Sequence, residues 1–180
     1  MNSQALSIES YVFSQTDAFL VDANVWLSVY GPQADPADRR TWLYSGALAK
    51  IFTTQCTIYL DVLILSEFVN RYCRLEFELQ KTNGTRDFKE FRKSPAFRSV
   101  AEAVADNIRR ILKRSQRIGS DLESLDIASL LERFERESSD FNDLVLAELC
   151  KRRGLKLITH DADFKGLGLT ILTANEHLLS

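Results

Sequence analysis

Four short runs of strand-forming residues recur along the chain, separated by stretches with helical spacing, and this alternation is the strongest constraint on its fold. The runs read DAFLVD, CTIYLD, GLKLITHD and LGLTILT, and three of the four end on an aspartate. Alternation of strands and helices predicts a parallel sheet with helices on both faces. We therefore expect an α/β fold, with a three-layer α/β/α arrangement around four to five strands.

A long, mostly helical segment interrupts this alternation between Asp61 and Arg153, with its extra portion at about residues 74–137. It has breaks at TNGT and at IGS. Apolar side chains in its middle keep to one helical stripe, namely Val100, Val104, Ile108, Ile111 and Leu112. A chain of 180 residues with 45% hydrophobic content can build one well-cored domain. We expect residues 1–180 to form a single domain with an enlarged helical insertion.

The composition limits where the protein works. The N-terminus lacks a positive region ahead of its apolar residues, and no uncharged apolar run approaches the ~20 residues that cross a bilayer. We expect a cytoplasmic protein that does not associate with a membrane. Cys56, Cys73 and Cys150 have no C-x-x-C pair and no nearby histidine cluster. They are therefore expected to be reduced packing residues rather than zinc ligands or disulfide partners.

Basic residues concentrate in the middle of the chain. From Arg71 to Arg117 there are thirteen Lys or Arg against six Asp or Glu, so this segment carries +7 and the remainder −9. Such a separation suits a protein that grips a polyanion with one surface and holds cations with another. Long helices with solvated basic faces have the same composition, so charge alone leaves both interpretations open.

Carboxylates stand where two of the predicted strands end. Asp22 follows the first strand, and Asp161 follows the third. In a parallel α/β sheet, ligands bind in the crevice beyond the carboxyl ends of the strands. Two carboxylates at that edge repel each other unless they share a proton or a cation. The pattern therefore indicates a positive species between them.

Two predicted helices supply further acids. Glu67 lies in VLILSEFVNRY, in surroundings that are apolar for a carboxylate, where a buried charge must protonate, pair or bind metal. The alternative is an i to i+4 pair with Arg71 on a partly exposed face. Asp143 stands in the first turn of the helix over DLVLAELC, behind the predicted N-cap Asp140. Both acids are expected near the crevice.

The order of these segments resembles the PIN domain, the nuclease fold of VapC-type toxins. The resemblance runs from about Phe19 to Leu178 and is carried by VDANVWL, LSEFVNRY, DLVLAEL and LITHDADF followed by LTILT. It implies that the metal-binding and catalytic carboxylates are Asp22, Glu67, Asp143 and Asp161. It further implies a ribonuclease, the toxin of a type II toxin–antitoxin pair, which dimerises and is silenced by an antitoxin protein. The choice of RNA over DNA rests on the resemblance alone.

The donor chemistry agrees with a metal site. Oxygen-only ligands suit hard cations such as Mg²⁺ or Mn²⁺ and disfavour zinc. Such ions activate water and neutralise charge on a phosphoryl oxygen, which is the chemistry of phosphodiester hydrolysis. Asn24 and Thr159 are expected to orient carboxylates by hydrogen bonds, or else to be an ordinary turn asparagine and an ordinary strand residue.

Three nearby residues have alternative roles. Asp140 is an additional acid that could join or replace Asp143 as a ligand. Asp163, in DADF, is either a further ligand or, as we expect, the cap of the following turn. His160 adjoins Asp161, so alternation along the strand predicts that its ring points away from the crevice.

Other functional classes fit the sequence less well. A phosphoaspartate receiver needs two adjacent acids after its first strand, and this chain has only Asp22 there. A haloacid-dehalogenase phosphatase needs D-x-D, and the third position is Asn24. A catalytically inactive PIN-like binding module is the remaining alternative. It has no physical reason to keep four mutually repelling carboxylates together.

Overall fold

The computed structural model describes residues 3–80, 87–136 and 139–180, which fold around a six-stranded parallel sheet. The strands lie in the order β1-β6-β5-β2-β3-β4, and every neighbouring pair is parallel. The strands are β1 (Gln4–Ser7), β2 (Ala18–Val21), β3 (Thr57–Leu60), β4 (Gln116–Arg117), β5 (Lys156–Ile158) and β6 (Thr170–Thr173). The predicted α/β/α class is confirmed, with one strand more than the upper end of the expected range.

Helices connect the strands and cover the sheet. They are α1 (Ala23–Tyr30), α2 (Arg39–Thr54), α3 (Val62–Gln80), α4 (Phe88–Phe91), α5 (Pro95–Leu112), α6 (Ile127–Arg136), α7 (Phe141–Arg153) and α8 (Glu176–Leu179). Short 3-10 helices lie at Leu122–Ser124 and at Ala162–Phe164. None of the described helices is both long and apolar enough to cross a bilayer.

The described part of the predicted insertion is mostly helical, but it also contains β4. The predicted break at IGS lies directly after that strand, whereas the break at TNGT falls among residues 81–86, outside the described residues. Val100, Val104 and Ile111 of α5 are buried, as the helical stripe predicted. Leu112 does not share that face, because its side chain is 37% exposed.

The centre of the sheet is the core of the protein. Phe19, Leu20 and Val21 of β2 are completely buried, as expected for a strand covered by helices on both faces. Cys73 and Cys150 are buried free thiols, and the partly buried Cys56 is also free, so the predicted packing role is confirmed.

A partly buried ion pair joins the starts of β2 and β5. The Lys156 ammonium donates to Asp17, and the same carboxylate accepts from the Tyr11 hydroxyl at 3.1 Å and the Ser14 amide at 2.9 Å. Burial opposes ionisation of Asp17, but the hydrogen bond from Lys156 and the other donors outweigh it and lower the pKa of Asp17. This cluster lies at the amino ends of the strands, opposite the edge that bears Asp22.

Candidate functional site

The carboxyl ends of β2 and β5 place two of the predicted acids at one edge of the sheet. These strands are direct neighbours, with Val21 opposite Ile158. Asp22 follows β2 immediately and is the N-cap of α1. Asp161 lies three residues beyond β5 and caps the 3-10 helix at Ala162–Phe164. The predicted juxtaposition of two strand ends is therefore present.

A buried hydrogen-bond network holds Asp22. Its Oδ2 accepts from the Asn24 amide at 2.6 Å and from the Thr159 hydroxyl at 2.6 Å. The backbone amide of His160 donates to Asn24 Oδ1 at 3.1 Å, and the amide of Asp161 donates to Thr159 Oγ1 at 3.0 Å. The predicted hydrogen bonds from Asn24 and Thr159 are confirmed. Two donors on one oxygen fix the plane of the Asp22 carboxylate.

The electrostatics show that all four predicted acids act on one region. Burial raises the pKa of Asp22 to about 6, and the negative charges of Glu67 and Asp161 add to this rise. Burial likewise raises the pKa of Asp143 to about 7, with further contributions from Asp22, Asp140, Asp161 and Glu67. Since α3, α7 and the ends of β2 and β5 each bring one acid, the site is assembled from four separate elements.

Glu67 is less buried than its sequence context predicts. Its side chain is 31% exposed, and Oε1 accepts from Arg71 at 3.0 Å in an i to i+4 pair. The ion pair offered as an alternative is therefore present, and Glu67 is a partly exposed, paired acid rather than a buried, unpaired one. The reason is the position of Glu67 between the buried residues Ile64 and Phe68, at the edge of the apolar face of α3.

The neighbouring acids have separate structural roles. Asp140 caps α7 by accepting from the Asn142 amide at 2.7 Å, as predicted. The expectation that Asp163 caps the turn is wrong, since Asp161 takes that role and accepts from the Asp163 amide at 3.0 Å. The reason is that the 3-10 helix begins directly after Asp161, which places Asp163 inside it.

The sequence profile of the PIN domain matches residues 19–168. The chain is a member of the PIN-domain family. The match covers most of the chain and contains all four predicted acids. No sequence among curated proteins matches it significantly.

Two solved structures show the same fold at low sequence identity. VapBC2 from Rickettsia felis, bound to a DNA fragment from its promoter, has a TM-score of 0.53 and 12% identity, covering 87% of this chain and 98% of the other. PAE2754 from Pyrobaculum aerophilum has a TM-score of 0.51 and 15% identity, covering 97% and 96%. These likenesses establish the fold of this PIN domain.

The four predicted acids of this PIN domain are the kind of ligand that a hard divalent cation prefers, because they supply carboxylate oxygens without histidine or cysteine. Burial is the main cause of the raised pKa values of Asp22 and Asp143, and the charges of the neighbouring carboxylates raise both pKa values further. Within residues 3–80, 87–136 and 139–180, however, no three Asp, Glu, His or Cys side chains stand close enough together to hold an ion. Mutual repulsion keeps carboxylates apart, and a shared cation reverses the sign of that interaction.

Sequence reasoning missed two residues that brace the site of the PIN domain. The Tyr44 hydroxyl donates to the Thr159 carbonyl at 3.1 Å, accepts from the Ala174 amide at 3.1 Å and lies 3.0 Å from His160 Nδ1. Arg40 donates to the Asn24 carbonyl at 3.0 Å. Both come from α2, whose sequence contains no motif for such contacts, so only the packing of α2 could reveal them.

Proposed function

We propose that this PIN domain is a metal-dependent endoribonuclease that hydrolyses RNA phosphodiester bonds with Mg²⁺ or Mn²⁺. The observation that carries the proposal is the electrostatic coupling of four carboxylates from four elements at the carboxyl edge of the sheet. Such a cluster destabilises the folded protein, because every acid raises the free energy of ionising the others. A divalent cation relieves that repulsion. We also propose that the protein works in the cytoplasm, as the sequence predicts.

The four acids share one task in this mechanism, and neighbouring residues support them. Asp22, Glu67, Asp143 and Asp161 would hold the cation. When bound, it supplies Lewis-acid activation of water and neutralises charge on the phosphoryl oxygens. Asn24 and Thr159 keep Asp22 in one orientation, so that the carboxylate needs no reorganisation on binding. Arg71 pairs with Glu67 at 3.0 Å and offsets part of the negative charge that this acid brings to the crevice.

The basic segment from Arg71 to Arg117 favours a polyanionic substrate such as RNA. Arg71 to Arg117 carries a formal charge of +7 and includes much of α3 and all of α5. Basic side chains on these helices are exposed, among them Arg98 and Arg109, which pair with surface acids of their own helix. Such pairs are weak and exchange readily for phosphate contacts. An RNA strand that crosses this surface can reach the acidic crevice.

The partner proposal follows from the fold. A structural neighbour is a VapBC2 complex bound to promoter DNA, and we extend that arrangement to this chain as the toxin of a type II toxin–antitoxin pair. The antitoxin protein would cover the acidic crevice, and the toxin would form a homodimer. Co-expression with the product of the adjacent gene, followed by size-exclusion chromatography and an RNase assay, tests both points. A stable complex with suppressed RNase activity is the expected result.

The direct test is RNA cleavage by the purified chain. Wild-type protein should cleave single-stranded RNA with Mg²⁺ or Mn²⁺ and lose this activity in EDTA, whereas Asp22→Asn should be inactive with either metal. Glu102→Gln is the matched control, because it removes an exposed acid of α5 outside the crevice. A chain that binds RNA but cleaves neither RNA nor DNA under all metal conditions is the inactive binding module, and the nuclease proposal then fails.

A further inference from the structure

A pocket of about 260 Å³ adjoins the acidic crevice. Its wall includes Asn24, which donates to Asp22, and Arg71, which pairs with Glu67. The pocket therefore shares two residues with the surroundings of the proposed metal ligands. Leu27 and Leu75 contribute apolar surface, and Arg40 contributes a second guanidinium. We call this site the Arg40 pocket.

Arg40 is held in place without a negative partner. Its Nε donates to Ser28 Oγ at 3.1 Å and its Nη2 to the Asn24 carbonyl at 3.0 Å, and both acceptors are neutral. In the part of the chain that the structure describes, no Asp or Glu oxygen lies within 4.0 Å of its guanidinium. The preceding residue, Arg39, is more exposed and pairs with both Glu9 and Glu176. A half-buried, prepositioned and uncompensated cation is a receptor for an anion.

The remaining charges of the pocket are already engaged. Asp38 accepts from the Thr41 amide at 3.0 Å as the N-cap of α2, and Arg71 is shared with Glu67. With Arg71 paired to Glu67, Arg40 is the guanidinium of the lining that the described carboxylates leave without a direct ion pair. Arg40 is the cation that a ligand can pair with at the least cost, since binding breaks no ion pair of the described residues.

We propose that Arg40 binds the RNA phosphate next to the scissile one and so sets the position of the strand across the carboxylates. This inference rests on the proposed nuclease function and names a residue of its substrate site. Successive phosphates of a strand are one nucleotide apart, so a strand with one phosphate at Asp22 presents the next one to a neighbouring pocket. The planar fork of arginine matches two phosphate oxygens, and the apolar walls leave room for the attached sugar or base.

The experiment combines protein variants with a chemically altered RNA. A short single-stranded RNA is prepared with one phosphate at a time replaced by a neutral methylphosphonate. Its affinity is measured in EDTA by fluorescence anisotropy for wild-type protein and for Arg40→Gln, Arg40→Lys and Arg39→Gln. For the wild-type protein, a methylphosphonate at one particular position should weaken RNA binding roughly ten- to hundredfold, the range of a charge-assisted contact. That penalty should vanish in Arg40→Gln, shrink in Arg40→Lys and persist in Arg39→Gln.

Salt dependence supplies an independent measurement. Loss of one phosphate contact should reduce the slope of log affinity against log salt by about 0.7 for a single strand. Arg40→Gln should show this reduction relative to wild type. Thermal melts of all variants distinguish a loss of RNA binding from a loss of folding. If Arg40→Gln does not fold, Arg40→Lys, which keeps the positive charge, is measured in its place.

Distinct results overturn the two proposals. If every methylphosphonate penalty is the same in Arg40→Gln as in wild type, Arg40 binds no phosphate, although RNA cleavage can still stand. If RNA affinity is unchanged in Arg40→Gln and an acidic peptide loses affinity for that variant, the pocket belongs to a protein partner. If wild-type protein cleaves no RNA with Mg²⁺ or Mn²⁺, the nuclease proposal fails, while the binding measurements in EDTA still report on Arg40.

Discussion

Thr159 donates its hydroxyl to Asp22 at 2.6 Å across 137 residues of chain. Both side chains are buried, and Thr159 is completely so. The contact links the ends of β2 and β5. It also ties a proposed metal ligand, Asp22, to a completely buried residue of the core. A donor in this position lowers the free energy of the ionised carboxylate, opposing the rise that burial causes in the pKa of Asp22.

Thr159→Val tests this contact. The substitution keeps the branched shape but removes the donor to Asp22 and the acceptor for the Asp161 amide. We expect a loss of about 1 to 3 kcal/mol in the free energy of unfolding, measured by urea denaturation at pH 8. RNA cleavage should fall at least tenfold, since Asp22 loses its fixed orientation. Thr170→Val, at the start of β6, is the control, and an equal loss of cleavage in both variants would contradict this role.

Asp22→Asn should stabilise the metal-free protein at high pH. The pKa of Asp22 is about 6 when folded, above its ordinary value, so the folded state binds a proton more tightly than the unfolded state. The associated stability is complete below about pH 4 and is lost as the pH rises through 6. In EDTA at pH 8, the variant should gain about 1 to 2 kcal/mol, because the asparagine carbonyl can still accept from Asn24 and Thr159.

The pH dependence gives that prediction its control. At pH 4, wild-type Asp22 is protonated when folded, so the difference between the two proteins should nearly disappear. Urea denaturation of both proteins at pH 4, 6 and 8 measures it. If the wild-type protein is more stable than the variant at pH 8 in EDTA, ionisation of Asp22 does not destabilise the folded protein and the prediction fails.

Mn²⁺ should raise the melting temperature of wild type more at pH 8 than at pH 5.5. A cation must displace protons from Asp22 and Asp143, whose pKa values are about 6 and about 7. Protons compete at the lower pH, so the apparent affinity falls and with it the stabilisation by mass action. Differential scanning fluorimetry measures the shift, and Asp22→Asn should lose most of it. A shift that is equal at both pH values and in both proteins would place Mn²⁺ elsewhere.

Lys156→Met should destabilise the protein without affecting the candidate site at the opposite edge of the sheet. Asp17 is 7% exposed and would lose the partner that lowers its pKa. Breaking a buried pair costs about 3 to 5 kcal/mol, but Lys156 is 31% exposed, so we expect about 2 kcal/mol at pH 7. In wild type, the contribution of Asp17 is complete above its ordinary pKa near 4 and is lost as the pH falls below it.

The matched comparison is the double variant Asp17→Asn with Lys156→Met. It removes the stranded carboxylate and should recover much of the stability that Lys156→Met loses. Urea denaturation at pH 7 measures both, and RNA cleavage should match wild type, because the pair lies at the amino ends of the strands. Equal stability of all three proteins would mean that the ion pair contributes nothing.

Local signals predicted the features that depend on neighbouring residues. The apolar runs of β2, β3, β5 and β6 were recognised, since a buried strand needs consecutive hydrophobic residues. The cap at Asp140 was also predicted, because its side chain accepts from a backbone amide only two residues away. The outer strands were missed. β4 has two exposed residues and β1 reads QALS, so neither has the apolar run that identifies a central strand.

The amino-acid sequence by itself determined the α/β class, because hydrophobic period and residue type predict it, and the resemblance of its motifs to the PIN domain nominated the four candidate carboxylates. Tertiary structure decided the rest. It set the distance between Thr159 and Asp22, packed α2 against the site so that Arg40 lies beside Asn24, and left the side chain of Glu67 partly exposed. Contacts between distant segments depend on how helices pack on the sheet, and no local pattern of residues encodes that packing.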